Sequence, residues 1–154
     1  MKGSLNTSLG RVTLEVWDTA GQEQFTSLAP VFFSNASAAI LVYDLTERNS
    51  LYAIERYLSM ISDRASENCI ICLVGNKKDL VENDSSKREV SPEESIRFGS
   101  KIGAKYILEV SALSGENIND IFLSIANDPD LVGASSQEES IIKPETNKGG
   151  KSCC

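Results

Sequence analysis

Ile70-Ile71-Cys72-Leu73-Val74-Gly75-Asn76-Lys77-Lys78-Asp79 is the stretch that decides the fold. Its first half carries no charge and almost no polarity. A continuous apolar run of that length fits a strand buried on both faces of a parallel sheet. The abrupt change to Asn-Lys-Lys-Asp then places a charged loop at the strand's carboxyl end. Ala38 to Leu45 is a second run of the same kind. Tyr106 to Val110 reads as another strand. Val12 to Trp17 alternates instead, with Val12, Leu14 and Val16 on one side and Thr13, Glu15 and Trp17 on the other, which is the period of a half-buried strand.

Helical patterns separate these strands. Leu51, Ile54, Leu58 and Ile61 recur at helical spacing, and Asn49 or Ser50 offers a cap. Ser91-Pro92-Glu93-Glu94 is a helix start: Ser91 caps, Pro92 suits the first helical position, and Glu94 completes a capping box. Gly103 suits the other end. Ile118, Ile121, Phe122 and Ile125 form a last stripe that Pro129 stops. Strands alternating with helices predict an α/β domain built on a parallel sheet, and the apolar stripes are its packing faces. No internal repeat is visible. From Gly133 to Ser152 the chain is rich in Ser, Glu, Lys and Gly, the composition of a flexible linker. The expected division is a domain over 1–128 and a tail over 129–154.

Composition narrows the function. The formal charge of −7 argues against nucleic acid as a partner and against charge-driven binding to anionic lipid. The absence of histidine excludes His-based catalysis and His-ligated metals. No run is long enough to span a bilayer and the N-terminus has no apolar signal region, which points to the cytosolic side. Cys69 and Cys72 form a C-x-x-C, but inside an apolar strand and without a second ligand pair, so they are expected to be reduced strand cysteines.

Two segments carry chemistry. Asp18 ends a patterned strand and precedes Thr19-Ala20-Gly21-Gln22. An acid in that place can meet a metal–phosphate, a glycine lets backbone approach a ligand, and a glutamine amide can orient water without titrating. Asp79 closes the Asn-Lys-Lys-Asp loop. A carboxylate can accept two parallel N–H bonds from the edge of guanine that adenine cannot supply, a difference worth roughly 10⁴-fold in well-built sites.

Together these segments resemble the Rab family of small GTPases within the Ras superfamily, by its D-T-A-G-Q and N-K-x-D motifs. The resemblance implies a three-layer α/β sandwich with a mostly parallel sheet, the P-loop NTPase-like fold. It also implies GTP/GDP and Mg²⁺ as cofactors: Asp18 near the Mg²⁺ shell through water, Gly21 at the γ-phosphate, and Gln22 as the catalytic residue at the hydrolytic water. At the base it implies Asp79 on the guanine edge, Asn76 bracing the loop and Lys77 lying along the ring. Ser111-Ala112-Leu113 resembles the family's third base-contacting segment, with Leu113 in place of the usual Lys. The likeness continues through Glu23, Phe25 and Ser27-Leu28-Ala29-Pro30, although Gln24 replaces a more usual Arg. Trp17 and Phe32 match two aromatics of the effector surface. The terminal Cys153-Cys154 resembles the family's double geranylgeranylation signal, and two lipid chains give stable anchoring where one does not. The implied partners are Rab effectors, an exchange factor, a GTPase-activating protein, the prenylation machinery and a GDP-dissociation inhibitor. The implied location is the cytoplasmic face of endomembranes, with the Ser-Leu-Ala-Pro stretch resembling endosomal members, and the cytosol when unlipidated or inhibitor-bound.

One part of the pattern is missing. Gly149-Gly150-Lys151-Ser152 mimics a phosphate loop, but Glu145 stands where its first Gly is needed, and neither strand nor helix is expected around it. The resemblance therefore implies a fold without its first strand, phosphate loop, first helix and switch I threonine. The lost strand would lie between the strands at Val12 to Trp17 and Ala38 to Leu45. Each buried apolar side chain lost with it is worth about 1.5–3 kcal/mol against a domain total of about 5–15 kcal/mol. Severe destabilisation is expected unless the neighbours pair directly. Two readings stand: an incomplete chain of a GTP-hydrolysing switch in vesicle traffic, or a non-hydrolysing prenylated adaptor.

Overall fold

A computed structural model describes residues 1–8, 10–18 and 35–134. Strands β1 (Lys2–Thr7) and β2 (Gly10–Glu15) form an antiparallel hairpin in register from Lys2 opposite Glu15 to Thr7 opposite Gly10. Gly10 takes φ +118°, a backbone region that favours glycine, and lets the chain reverse there. The alternation read at Val12 to Trp17 is present, but the strand starts earlier and stops at Glu15. Trp17 and Asp18 follow it as exposed, irregular chain.

Strands β3 (Ala38–Asp44), β4 (Ile70–Asn76) and β5 (Tyr106–Glu109) form a parallel sheet in the order β3-β4-β5. The helices are α1 (Arg48–Ala53), α2 (Glu55–Arg64), α3 (Lys78–Asn83), α4 (Pro92–Lys101), α5 (Ile118–Ala126) and α6 (Pro129–Ala134). Both sheet faces carry packed helices, although Val42 of β3 stays exposed. Leu41, Tyr43, Leu45 and Leu73 pack with Leu51, Ile54, Ile61 and Phe98 on one side. Cys72, Val74 and Val110 pack with Ile121 and Ile125 of α5 on the other. Helix, sheet and helix make three layers. Cys69 and Cys72 are free thiols in this strand region; burial pushes the Cys72 thiol up to about 11. None of the described helices is long and apolar enough to cross a membrane.

Several local expectations need correction. The stripe from Leu51 to Ile61 is two helices that meet at Ile54. The first begins at Arg48 without a side-chain cap, because the Ser50 hydroxyl donates to the Glu47 carbonyl (2.6 Å) and accepts from the Asp44 N–H (2.8 Å). Ser91 does cap α4, accepting from the Glu94 N–H at 3.2 Å. The Glu94 carboxylate, however, accepts from the Tyr52 hydroxyl (2.9 Å) and pairs with Arg48 (3.2 Å) rather than closing the box. Helix α6 spans Pro129–Ala134, so Gly133, expected to open the linker, lies inside a helix.

The hairpin and the parallel sheet are separate: among the described residues no ladder joins β2 to β3. The direct pairing of β2 with β3 that would close the expected gap is thus not seen among the described residues. Val42 is the register partner of Val74. The two share a face, yet Val74 is 1% exposed beneath α5 and Val42 is 56% exposed.

Candidate functional site

β4 delivers its last residue, Asn76, to the carboxyl edge of the sheet, and β5 delivers Val110 and Ser111 beside it. The Val110 N–H donates to the Gly75 carbonyl (2.8 Å) and the Lys78 N–H donates to the Val110 carbonyl (2.9 Å). Two loops, 76–79 and 111–113, are thereby fixed side by side. Asn76 joins them: its Oδ1 accepts from the Lys77 N–H at 2.7 Å and from the Ala112 N–H at 3.0 Å. One amide oxygen thus bonds to the backbone of both loops.

Lys77 adopts φ 68° and ψ 35°, a left-handed conformation costly for a residue with a Cβ. The turn lets α3 begin at once, with Asp79 in its first turn. Ser111, fully buried, donates its hydroxyl to Asp79 Oδ1 at 2.7 Å and accepts from the Ser114 N–H at 3.1 Å. The Asp79 carboxylate is therefore oriented by a buried, hydrogen-bonded hydroxyl. Lys78, at the start of α3, pairs with Glu116 beyond the second loop and with Glu82 one turn along α3 (2.9 Å); these bonds raise its pKa. Leu113 is 85% exposed at the rim.

Sequence reasoning missed Asp44. β3 and β4 run in register so that Asp44 lies opposite Asn76, and Asp44 Oδ2 meets Lys77 Nζ at 2.5 Å. The clue was available: Asp44 ends an apolar strand just as Asn76 does.

The remaining positions are not brought into this cluster. Asp18 lies beyond the hairpin, exposed, and among the described residues no hydrogen bond or ion pair links it to the two loops. It is a single carboxylate, and no group of three or more His, Cys, Asp or Glu among the described residues could hold a metal ion. Mg²⁺ is commonly held by one or two carboxylates with phosphate oxygens, so Asp18 fits that ion as one ligand of a nucleotide complex and not as a cage. Trp17 is 63% exposed. Gly21, Gln22, Phe32, Cys153 and Cys154 lie outside the described residues, as does the mimic at 149–152.

Residues 2–129 match the Ras family model. The chain is 43% identical over 114 residues to a putative ras-related protein Rab-5B of Dictyostelium discoideum, covering 74% of this chain and 51% of that protein. It is 36% identical over 146 residues to a ras-related protein Rab5 of Nicotiana tabacum (93% and 70% covered) and 34% identical over 142 residues to the human ras-related protein Rab-31 (90% and 70%). It thus spans about half the length of the Dictyostelium relative. The sheet order, the paired loops and these matches agree: the chain belongs to the Rab family of Ras-type small GTPases.

Proposed function

We propose that the loops 76–79 and 111–113 hold a guanine base, and that the whole protein is a GTP-binding, GTP-hydrolysing switch in vesicle-mediated membrane traffic. The observation that carries the base site is the pair of hydrogen bonds that Asn76 Oδ1 accepts from the Lys77 and Ala112 N–H groups, with Asp79 held by the hydroxyl of buried Ser111. In this reading Asp79 accepts the two N–H groups of the guanine edge. The Ala112 backbone, whose N–H is bonded to Asn76 Oδ1 in the free chain, is proposed to face the base carbonyl, and Lys77 and Leu113 are proposed to border the ring. A positioned carboxylate rejects adenine because the wrong edge leaves it unpaired in a desolvated place.

Asp18 is proposed as a Mg²⁺ ligand through water and Gln22 as the residue that orients the attacking water. Mg²⁺ would supply charge neutralisation of the phosphates. Trp17 and Phe32 belong to the proposed effector surface, and Cys153 and Cys154 to a double lipid anchor. With that anchor, the cytoplasmic face of endomembranes, those of endosomes in particular, is the proposed location.

The 154-residue chain by itself has base-selecting groups but no phosphate-binding loop in its sequence. Backbone N–H groups and a Lys of such a loop supply most of the charge stabilisation of the phosphates. The chain is therefore expected to choose guanine while holding GTP weakly. Titrating a fluorescent GTP analogue into the purified chain tests this: no saturation below micromolar concentration is expected, and saturable sub-micromolar binding would overturn it. Guanosine and adenosine, compared by NMR at millimolar concentration, test the base site. The amides of Lys77 and Ala112 should shift with guanosine and stay in place with adenosine; equal responses would remove the assignment.

A further inference from the structure

We infer that Asp44 is a positioning residue for base recognition, acting through Lys77; the inference rests on the reading that loops 76–79 and 111–113 take a guanine base. The argument starts from register. Parallel pairing sets Asp44 opposite Asn76 at the ends of β3 and β4, and the Leu45 N–H donates to the Asn76 carbonyl at 3.0 Å. The residue after Asn76 therefore leaves the sheet at the level of the Asp44 side chain.

Asp44 is itself held from three directions. Its Oδ1 accepts from the Thr46 N–H (2.8 Å) and the Thr46 hydroxyl (2.7 Å). Its own N–H donates to Ser50 Oγ (2.8 Å). With Oδ1 committed to Thr46, Oδ2 is turned to Lys77 Nζ at 2.5 Å. The Asp44 side chain is only 16% exposed, whereas that of Lys77 is 50% exposed. A fixed, half-desolvated carboxylate is thus the anchor and the lysine is the moving part.

Lysine needs such an anchor. Its four-carbon stem has many rotamers, and ordering it on ligand binding is costly. Here both ends of the residue are fixed before any ligand arrives. The backbone is turned left-handed with its N–H on Asn76, and the ammonium is pinned on Asp44. The stem between them is held at both ends within the loop that carries Asp79. Preorganisation of this kind raises affinity by lowering the ordering cost.

The protonation equilibria agree in direction. Burial pushes Asp44 up, but the bonds from Lys77 and Thr46 outweigh it and hold the carboxyl below its ordinary value. The bond to Asp44 raises the Lys77 ammonium, with Glu47 and Asp79 adding weaker attraction. Both partners stay charged across the neutral range.

A double-mutant cycle on the full chain separates this role from a structural one. Guanosine is titrated into wild type, Asp44→Asn, Lys77→Met and the double variant, with the Ala112 amide as the NMR readout and thermal unfolding as the control. Loss of one preorganised contact is expected to weaken guanosine binding about 3–10-fold in each single variant, and no further in the double variant. If Asp44 acts only by shaping the turn into α1, Asp44→Asn weakens binding again in the Lys77→Met background, and the inference fails. It fails alone if wild type binds guanosine and Asp44→Asn binds it equally. A wild-type chain blind to guanosine refutes the base site and this inference with it. Thr46→Val, which frees one hydroxyl from the carboxylate and keeps its charge, serves if Asp44→Asn does not fold; in the cycle with Lys77→Met it should weaken binding about 2–3-fold and lose that effect when Lys77 is absent.

Discussion

Replacing Gly75 by Ala tests how the core of the sheet controls the loop that follows it. A Cβ at this position would sit 2.7 Å from Tyr43 Oη, 2.8 Å from Leu45 Cδ2 and 2.9 Å from Tyr43 Cζ. Two of those atoms belong to a rigid phenol that is 2% exposed, so the ring has to move as a body. Its hydroxyl is bonded to Ser95 Oγ at 2.5 Å, and Ser95 is buried too. Overpacking costs about 1–3 kcal/mol, and separating the Tyr43–Ser95 pair leaves buried polar groups short of a partner for about 1–3 kcal/mol more. A loss of about 2–6 kcal/mol would consume a large share of a domain's usual 5–15 kcal/mol. Urea unfolding followed by circular dichroism measures it. Tyr43→Phe removes the nearest contact atom, so Gly75→Ala should cost about 1 kcal/mol less in that background. A Gly75→Ala chain within about 0.5 kcal/mol of wild type would refute the packing argument, since that is the range of an innocuous surface change.

Other outcomes follow from single contacts. Asn76→Ala removes the acceptor for the Lys77 and Ala112 N–H groups and should raise amide hydrogen exchange in both loops while leaving β4 protected; unchanged exchange would mean that the loops hold themselves. With the Cys72 thiol pushed up to about 11 by burial, roughly one molecule in a thousand carries the thiolate at pH 8. Iodoacetamide followed by mass spectrometry should therefore leave Cys72 unmodified in the folded chain and alkylate it in urea. Asp128 is fully buried: burial pushes its carboxyl up, but the Lys105 ammonium and the Tyr106 hydroxyl, each at 2.7 Å, outweigh that and hold it low. Its stabilising contribution is thus complete above the unfolded value of about 3.9 and is lost as pH falls through the lower folded value. Asp128→Asn should be less stable than wild type at pH 7, and the urea midpoints of the two should converge on acidification. Parallel midpoints down to pH 2 would show that the Lys105 pair contributes nothing.

The legible parts of this molecule were those written in local chemistry. Ile70 to Gly75 shows its double burial by containing nothing polar, and Ser91-Pro92 starts a helix wherever the chain places it. Asn76, Lys77, Asp79, Ser111 and Ala112 were readable because they sit at strand ends in a recurrent spacing, and the fold had only to bring two ends together. What the sequence hid depends on register or on competition between acceptors. Asp44 finds Lys77 only because β3 and β4 align end to end. Ser50 looked like a cap, yet its hydroxyl serves the Asp44 N–H and the Glu47 carbonyl, so the helix begins at Arg48. Glu94 could close a capping box, but Tyr52 and Arg48 reach it first. The break at Ile54 leaves no trace in a hydrophobic stripe, because a bend between two short helices keeps its apolar side chains on the same core.

Base preference in the Asp79→Asn variant tests the central claim most directly. Xanthine has a carbonyl where guanine has its amino group, so an Asn amide donates to the former and confronts the latter with a second donor. NMR titration of both nucleosides into wild type and variant should show wild type preferring guanosine and Asp79→Asn preferring xanthosine. A folded variant that still prefers guanosine, or a wild type that ranks the two alike, would contradict the assignment of Asp79 to the guanine edge.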